Sequence, residues 1–253
     1  MLKDVCREAA GIILAHQPCV ALTGAGISAE SGIPTFRDKG GLWDKFDPAV
    51  YASIEVFRED PSKYWSIRGE FIRRYDDYRP NSGHTALAAL EALGLLDHVI
   101  TQNIDGLHRK AGSRNVTEVH GSLREIHCLG CGREYLAPRV PEGPVPRCGC
   151  GGVLKPNTVL FGEPLPPEAL QTAVEKARAC RSMLLVGTSA VVQPAASLPF
   201  LARDRGAKLI EVNLERAFPG ADCFVGEKAG TALPLIEAEL RTLFDERPRT
   251  PSS

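Results

Sequence analysis

Several short stretches of this 253-residue chain carry residue types that could do chemistry. Cys128-x-x-Cys131 and Cys148-x-Cys150 set two thiol pairs close in sequence. Four thiolates can close a tetrahedral zinc site of the structural kind, with no open position for water. The second pair has one intervening residue where a knuckle normally has two; Gly149, Gly151 and Gly152 permit the tighter turn. One structural zinc per chain is expected. Gly24 and Gly26 follow the apolar run Cys19-Val20-Ala21-Leu22, and Ser28 or Ser31 could cap a helix after them. A strand, a glycine turn and a helix N-terminus together suit a pyrophosphate.

Gln102-Asn103-Ile104-Asp105 falls at the carboxyl end of an expected parallel strand, where open α/β sheets bind ligands. An Asn and an Asp in one turn are also ordinary helix-capping chemistry. His120, followed by Gly121, ends another expected strand; an imidazole titrating near neutrality can accept a proton from a hydroxyl. His108 and His127 are its rivals. The first sits on the helix after Asp105 and the second beside Cys128, an expected zinc ligand, so both read as structural. Gly187-Thr188-Ser189 and Asn213-Leu214-Glu215 end two more strands, where hydroxyl and amide groups can bond a ribose or a phosphate.

The elements that must position these groups are strands alternating with helices. Helical spacing runs from Leu2 to His16, Ser82 to Leu93, Pro167 to Cys180, Pro194 to Arg205 and Gly230 to Phe244. Apolar strands are expected at 19–22, 97–102, 116–120, 182–188, 207–212 and 223–225. This alternation predicts an α/β fold with a Rossmann-like, doubly wound parallel sheet. The expected division is a body of residues 1–37, 81–124 and 154–245, a helical insertion over 38–80, a zinc module over 125–153 and a disordered tail over 246–253. The usual dinucleotide fingerprint also wants an acid about 20 residues past the glycines, at a second strand end. Asp44 and Asp47 lie near that distance in a segment that is no strand, so a standard dehydrogenase start is excluded.

A net charge of −1 provides no global basic field for nucleic acid. The longest apolar runs fall far short of the ~20 residues that span a bilayer. The charged N-terminus lacks the apolar core of a signal peptide, so a cytoplasmic location is expected, without membrane or direct nucleic-acid partners. Cys6, Cys19, Cys180 and Cys223 stand singly among apolar neighbours and read as buried free thiols. Oligomeric state leaves no mark in the sequence.

The stretch from Gly24 through Arg37, with the blocks at 101–105, 120–121 and 187–189, resembles the sirtuins, the NAD-dependent protein deacylases. The blocks span most of the chain in the family's order. The resemblance implies that NAD, a co-substrate, lies against Gly24, Ala25, Gly26, Ser28, Glu30, Pro34, Thr35, Phe36 and Arg37. Asn103 would position the nicotinamide ribose and a water, Asp105 the nicotinamide carboxamide, and Gln102 a ribose hydroxyl, with Ile104 between them. His120 would be the catalytic base. Gly187, Thr188, Ser189, Asn213, Leu214, Glu215 and Ala229 would hold the adenosine side. Val159, Phe161, Gly162 and Glu163 on one strand, and Val191 and Val192 on another, would clamp an extended acyl-lysine peptide by strand addition. The implied activity is lysine deacylation, mainly deacetylation, giving nicotinamide and O-acyl-ADP-ribose; protein ADP-ribosyl transfer on the same fold is the alternative. Family members that favour succinyl-lysine carry a Tyr-x-x-Arg pair. Anchoring on Trp65 puts its positions on Arg68 and Phe71, so acetyl is expected over succinyl.

Overall fold

A computed structural model describes residues 1–34 and 46–246. Its body is a six-stranded parallel sheet. The strands in chain order are β1 (Cys19–Thr23), β2 (His98–Thr101), β3 (Val116–Glu118), and then, after a second small sheet, β7 (Ser182–Val186), β8 (Lys208–Val212) and β9 (Cys223–Val225). They lie in the order β3-β2-β1-β7-β8-β9. The chain therefore winds outward from β1 in one direction and resumes on its other side with β7. The expected doubly wound sheet is present.

Side-chain alternation in β1 explains how one strand serves two cores. Ala21 faces a layer built with Cys6, Ala9 and Ile13 of α1 (Leu2–Ala15), Leu87 and Leu90 of the helix Ser82–Ala92, and Ile236 and Leu240 of the helix Ala229–Asp245. Val20 and Leu22 face the opposite layer, with Ala173 and Ala177 of the helix Pro167–Ala179 and Leu198 and Ala202 of the helix Leu198–Asp204. Every residue of β1 and β7 is buried, as a strand covered on both faces requires.

The remaining strands, β4 (Gly121–Cys128), β5 (Glu134–Leu136) and β6 (Leu154–Thr158), form an antiparallel sheet ordered β5-β4-β6. The sequence suggests two separate excursions, one helical and one metal-bound. The structure joins them: Phe57, Tyr64, Trp65 and Ile72 share one core with Leu123, Ile126 and Leu154. Trp65 Nε1 donates to the Leu154 carbonyl at 3.1 Å. An insertion of this length buries little apolar surface alone, and the small sheet supplies the missing face. Among the described residues no helix is long and apolar enough to cross a membrane.

Candidate active site

The carboxyl ends of β1, β2, β7 and β8 meet beneath a cavity of about 1260 Å³. Gly24 N–H donates to the Val186 carbonyl at 3.0 Å, and Gly26 N–H to the Gly187 carbonyl at 2.9 Å. A Cβ on Gly24 would lie 2.8 Å from the Gly187 oxygen, and one on Gly26 would lie 2.7 Å from the Gly187 Cα. These glycines are thus required by the contact of two strand-end loops as well as by any ligand. The helix expected after them is instead a 3₁₀ run, Ala25–Ser31, opened by Gly24 without a side-chain cap. Ser28 is unavailable as a cap because it points into the protein.

There it anchors a buried polar layer. Ser28 Oγ donates to Asp105 Oδ2 at 2.7 Å and accepts from Asn103 Nδ2 at 3.1 Å and from His84 Nε2 at 3.4 Å. A hydroxyl has one proton and two lone pairs, and all three are used. Asn103 Nδ2 also donates to the Gly24 carbonyl at 3.0 Å. Asp105 Oδ1 accepts the Leu107 N–H at 2.9 Å. Burial raises the Asp105 carboxyl above its ordinary value, opposed by the bonds from Leu107 and Ser28. His84 is pushed down to about 4 by burial. His108, expected to be structural, is buried with Nε2 at 2.9 Å from Thr23 Oγ1, which itself donates to Thr101 Oγ1. His127 meets Asn157 Oδ1 through Nδ1.

His120 lies where β2, β3 and β4 come together. Its Nδ1 is 3.0 Å from the Gln102 carbonyl, which can only accept, so Nδ1 carries the proton and Nε2 keeps its lone pair. Burial lowers its pKa from 6.5, and the Gln102 carbonyl partly opposes this. The His120 carbonyl accepts the Val159 N–H at 2.9 Å. Gly121 is at φ +73°, and a Cβ there would collide with the Asn157 carbonyl, so no other residue fits after the histidine.

The cavity brings together most of the residues singled out by sequence. Gly24, Ala25, Gly26, Glu30, Gln102, Asn103, Ile104 and His120 line it, with Gly187, Thr188, Ser189, Asn213, Leu214, Glu215 and Ala229. Val159, Phe161, Gly162, Glu163 and Val192 line its other side. Ser28 and Asp105 lie behind the glycine loop, outside the lining; Pro34 and the exposed Val191 are also outside the lining. Thr35, Phe36 and Arg37 lie outside the described residues.

Two positions were not singled out by sequence, Tyr64 and Glu211. Tyr64, on the helix Pro61–Arg73, lines the cavity and meets Thr158 Oγ1 at 3.2 Å. Arg68, which the sequence placed on the first position of the Tyr-x-x-Arg pair, lies one turn on and also lines it. Glu211 is buried in β8 and its Oε1 accepts the Ala217 N–H at 2.6 Å, fixing the loop that follows Asn213. An acid in an otherwise apolar strand was the signal available for Glu211. On the same side Gln102 Nε2 donates to Thr188 Oγ1 at 2.8 Å, and Asn213 Nδ2 to the Thr188 carbonyl at 3.1 Å. Glu30 Oε2 accepts the Gly230 N–H at 2.7 Å, capping the helix that carries Ala229.

Cys128, Cys131, Cys148 and Cys150 place their sulfurs within 4.8 Å of one another. Cys128 Sγ is 3.5 Å from Cys150 Sγ, and Cys131 Sγ is 3.6 Å from Cys148 Sγ. A tetrahedron with Zn–S bonds of ~2.3 Å has edges of about 3.8 Å, so the four thiols fit zinc. Cys6, Cys19, Cys180 and Cys223 are buried free thiols, as expected.

The family model described as "Sir2 family" matches residues 24–194. The chain is 46% identical over 249 residues to "NAD-dependent protein deacylase 2" of Pyrobaculum aerophilum, covering 96% of this chain and 99% of that protein. A crystal structure of a Sir2 homolog–NAD complex superimposes with a TM-score of 0.86 at 42% identity, covering 93% and 94% of the two chains. A Sir2 variant with a deacetylated p53 peptide and 3′-O-acetyl-ADP-ribose superimposes with a TM-score of 0.87 at 36% identity, covering 92% and 97%.

Proposed function

The chain belongs to the Sir2 family, and we infer that its cavity carries out NAD-dependent deacylation of protein lysines, mainly deacetylation. The activity yields nicotinamide, the free lysine and O-acyl-ADP-ribose. The observation that carries the reading is the double engagement of His120. Its imidazole is held by the end of β2 and its carbonyl holds Val159, so one residue joins the cofactor floor to the peptide strand.

NAD, when bound, supplies an electrophilic ribose carbon with nicotinamide as its leaving group. The donor set fits it: glycine-loop backbone, Gln102, Asn103, Thr188, Ser189 and Asn213 line the cavity with apolar Ile104 and Ala229 between them. His120, with Nε2 unprotonated, takes the proton of a ribose hydroxyl. Asn103, its amide nitrogen fixed on the glycine loop, orients the nicotinamide ribose and the water. Asp105 acts on the carboxamide through the loop that it braces. Glu163 and Val192 flank the acyl-lysine peptide, with Val159, Phe161, Gly162 and Val191 along it. Thr35, Phe36 and Arg37 complete the cofactor loop by family resemblance. Zinc takes no part in the chemistry, since four thiolates close its coordination.

Acyl-lysine proteins or peptides are the partners. The free buried thiols and a thiolate metal site suit a reducing compartment, which supports the cytoplasm. Protein ADP-ribosyl transfer is not favoured, because the curated relatives are named as deacylases. The test is to incubate the protein with an acetyl-lysine peptide, with and without NAD, and weigh peptide, protein and small-molecule products. Loss of 42 mass units from the peptide, about one acetyl replaced by hydrogen, must require NAD. A gain of ADP-ribose on protein with the acetyl group retained overturns the reading.

A further inference from the structure

Beyond Thr158 the strand β6 loses its sheet. Gly121 pairs with Thr158 at the last register position, and the five residues that follow have only an isolated bridge, Ser53 to Phe161. This segment, Val159–Glu163, is the one against which the acyl-lysine peptide would lie. A strand used for main-chain addition has to keep its height and direction before the peptide arrives. Its neighbours hold it only in part: Val159 N–H is on His120, and Phe161 exchanges bonds with Ala52 and Ile54.

The rest of the restraint comes from a buried cation. Lys155, on β6, has a side chain only 7% exposed. Its Nζ lies 3.0 Å from the Thr158 carbonyl, 3.4 Å from the Pro156 carbonyl and 3.0 Å from Glu163 Oε2. That same Glu163 oxygen accepts the Leu160 N–H at 2.8 Å, and Glu163 N–H returns to the Leu160 carbonyl at 2.9 Å. The ammonium thus ties Thr158, which leads into the segment, and Glu163, its last residue, to one point. A charge removed from water this completely is retained only with such partners, and Lys155 has three of them, two carbonyls of its own strand and the Glu163 carboxylate.

We propose that Lys155 is a positioning residue for the acyl-lysine peptide: through Thr158 and Glu163 it sets the backbone of the peptide-binding strand. This rests on the deacylase reading above. Lys155 does not line the cavity, and its bonds go to Pro156, Thr158 and Glu163, so its loss is expected to act on peptide binding more than on the NAD side.

The experiment compares Lys155→Met, Lys155→Arg and Glu163→Gln with the wild-type zinc-loaded protein. KM for an acetyl-lysine peptide, kcat, and the Kd for ADP-ribose are measured for each, with thermal midpoints. Lys155→Met is expected to raise peptide KM at least ~10-fold while the ADP-ribose Kd stays within ~2-fold. Lys155→Arg, which keeps charge and donors, is expected to recover most of that loss. Glu163→Gln is expected to raise peptide KM by a smaller factor, and the double variant Lys155→Met/Glu163→Gln to match Lys155→Met, since the two side chains act as one unit. Should Lys155→Met fail to fold, Glu163→Gln and Lys155→Arg still separate the outcomes: an unchanged peptide KM in Glu163→Gln overturns the proposal. So does an unchanged peptide KM in Lys155→Met, or a parallel loss of ADP-ribose binding. A wild-type protein that turns over no acetyl peptide would instead overturn the deacylase reading itself.

Discussion

Ser28 Oγ donates to Asp105 Oδ2 over 2.7 Å, joining two loops 77 residues apart in sequence. The bond sits behind the cofactor loop, where Ser28 also receives Asn103 and His84. Ser28→Ala removes one donor and two acceptors at once and leaves a buried carboxyl with one partner fewer. Unmade buried bonds cost ~1–3 kcal/mol each. The expected outcome is a fall in kcat/KM of ~10–100-fold with zinc content unchanged. Steady-state kinetics at saturating peptide check it; a variant as active as wild type would mean that the layer braces nothing used in catalysis.

His120 works as a base only while Nε2 is unprotonated. Burial lowers its pKa below 6.5, so the neutral form already dominates at pH 7. Activity is therefore expected to be flat above neutrality and to fall as pH drops through a midpoint below 6.5. His120→Ala is expected to lose at least ~100-fold in deacylation while retaining ADP-ribose binding. A kcat profile from pH 5 to 9 decides the first part: an acid limb centred above 6.5 would contradict it.

Cys128 and Cys148 belong to the same core as Trp65 and Leu154, so metal loss reaches the helical insertion as well as the thiols. About one zinc per chain is expected on metal analysis. Cys131→Ala, or exhaustive chelation, should lower the thermal midpoint and abolish activity through unfolding of the small sheet, because structural zinc contributes folding free energy directly. Freshly purified, active protein without zinc would refute this.

Arg68 bears on the acyl preference expected from sequence. It lines the cavity one helical turn from Tyr64, on the helix Pro61–Arg73. A carboxylate that reached this guanidinium would gain a cationic partner, and the several-kcal/mol penalty for an unpaired buried acid would fall. Competing acetyl and succinyl peptides in one tube should give a preference below ~10-fold for acetyl, and Arg68→Met should widen it beyond ~10-fold, or ~1.4 kcal/mol. An Arg68→Met ratio equal to wild type would place the guanidinium out of the acyl chain's reach.

The sheet and the rim of the site were legible because their signals are local. Apolar runs such as Ser182–Val186 and the turn residues after each strand mark both the strand and its ligand-facing end. The partnership between the two excursions was not legible: Trp65 donates to Leu154 across 89 residues, and neither segment's pattern names the other. Glycine chemistry was half legible. Positions 24 and 26 ask for small residues, but the neighbour that demands it, Gly187, comes from another strand. Ser28 could be read as a cap from its type and place, and only the fold reveals a carboxylate, an amide and an imidazole competing for its hydroxyl.

Pairing of β1 with β7 sets a condition on biosynthesis. Thr23 lies beside Val186, and Gly24 completes its backbone bonding on the Val186 carbonyl. A nascent chain that has passed the cysteines therefore holds every glycine of the cofactor loop and none of the wall they rest on. Long-range strand pairing of this kind is slow and leaves apolar edges open while it waits. The small sheet, whose strands all lie between Gly121 and Thr158, is complete well before that wall is synthesised. Zinc capture can thus precede assembly of the nucleotide floor, and a chain cut off before Ser182 would hold metal without a place for the dinucleotide.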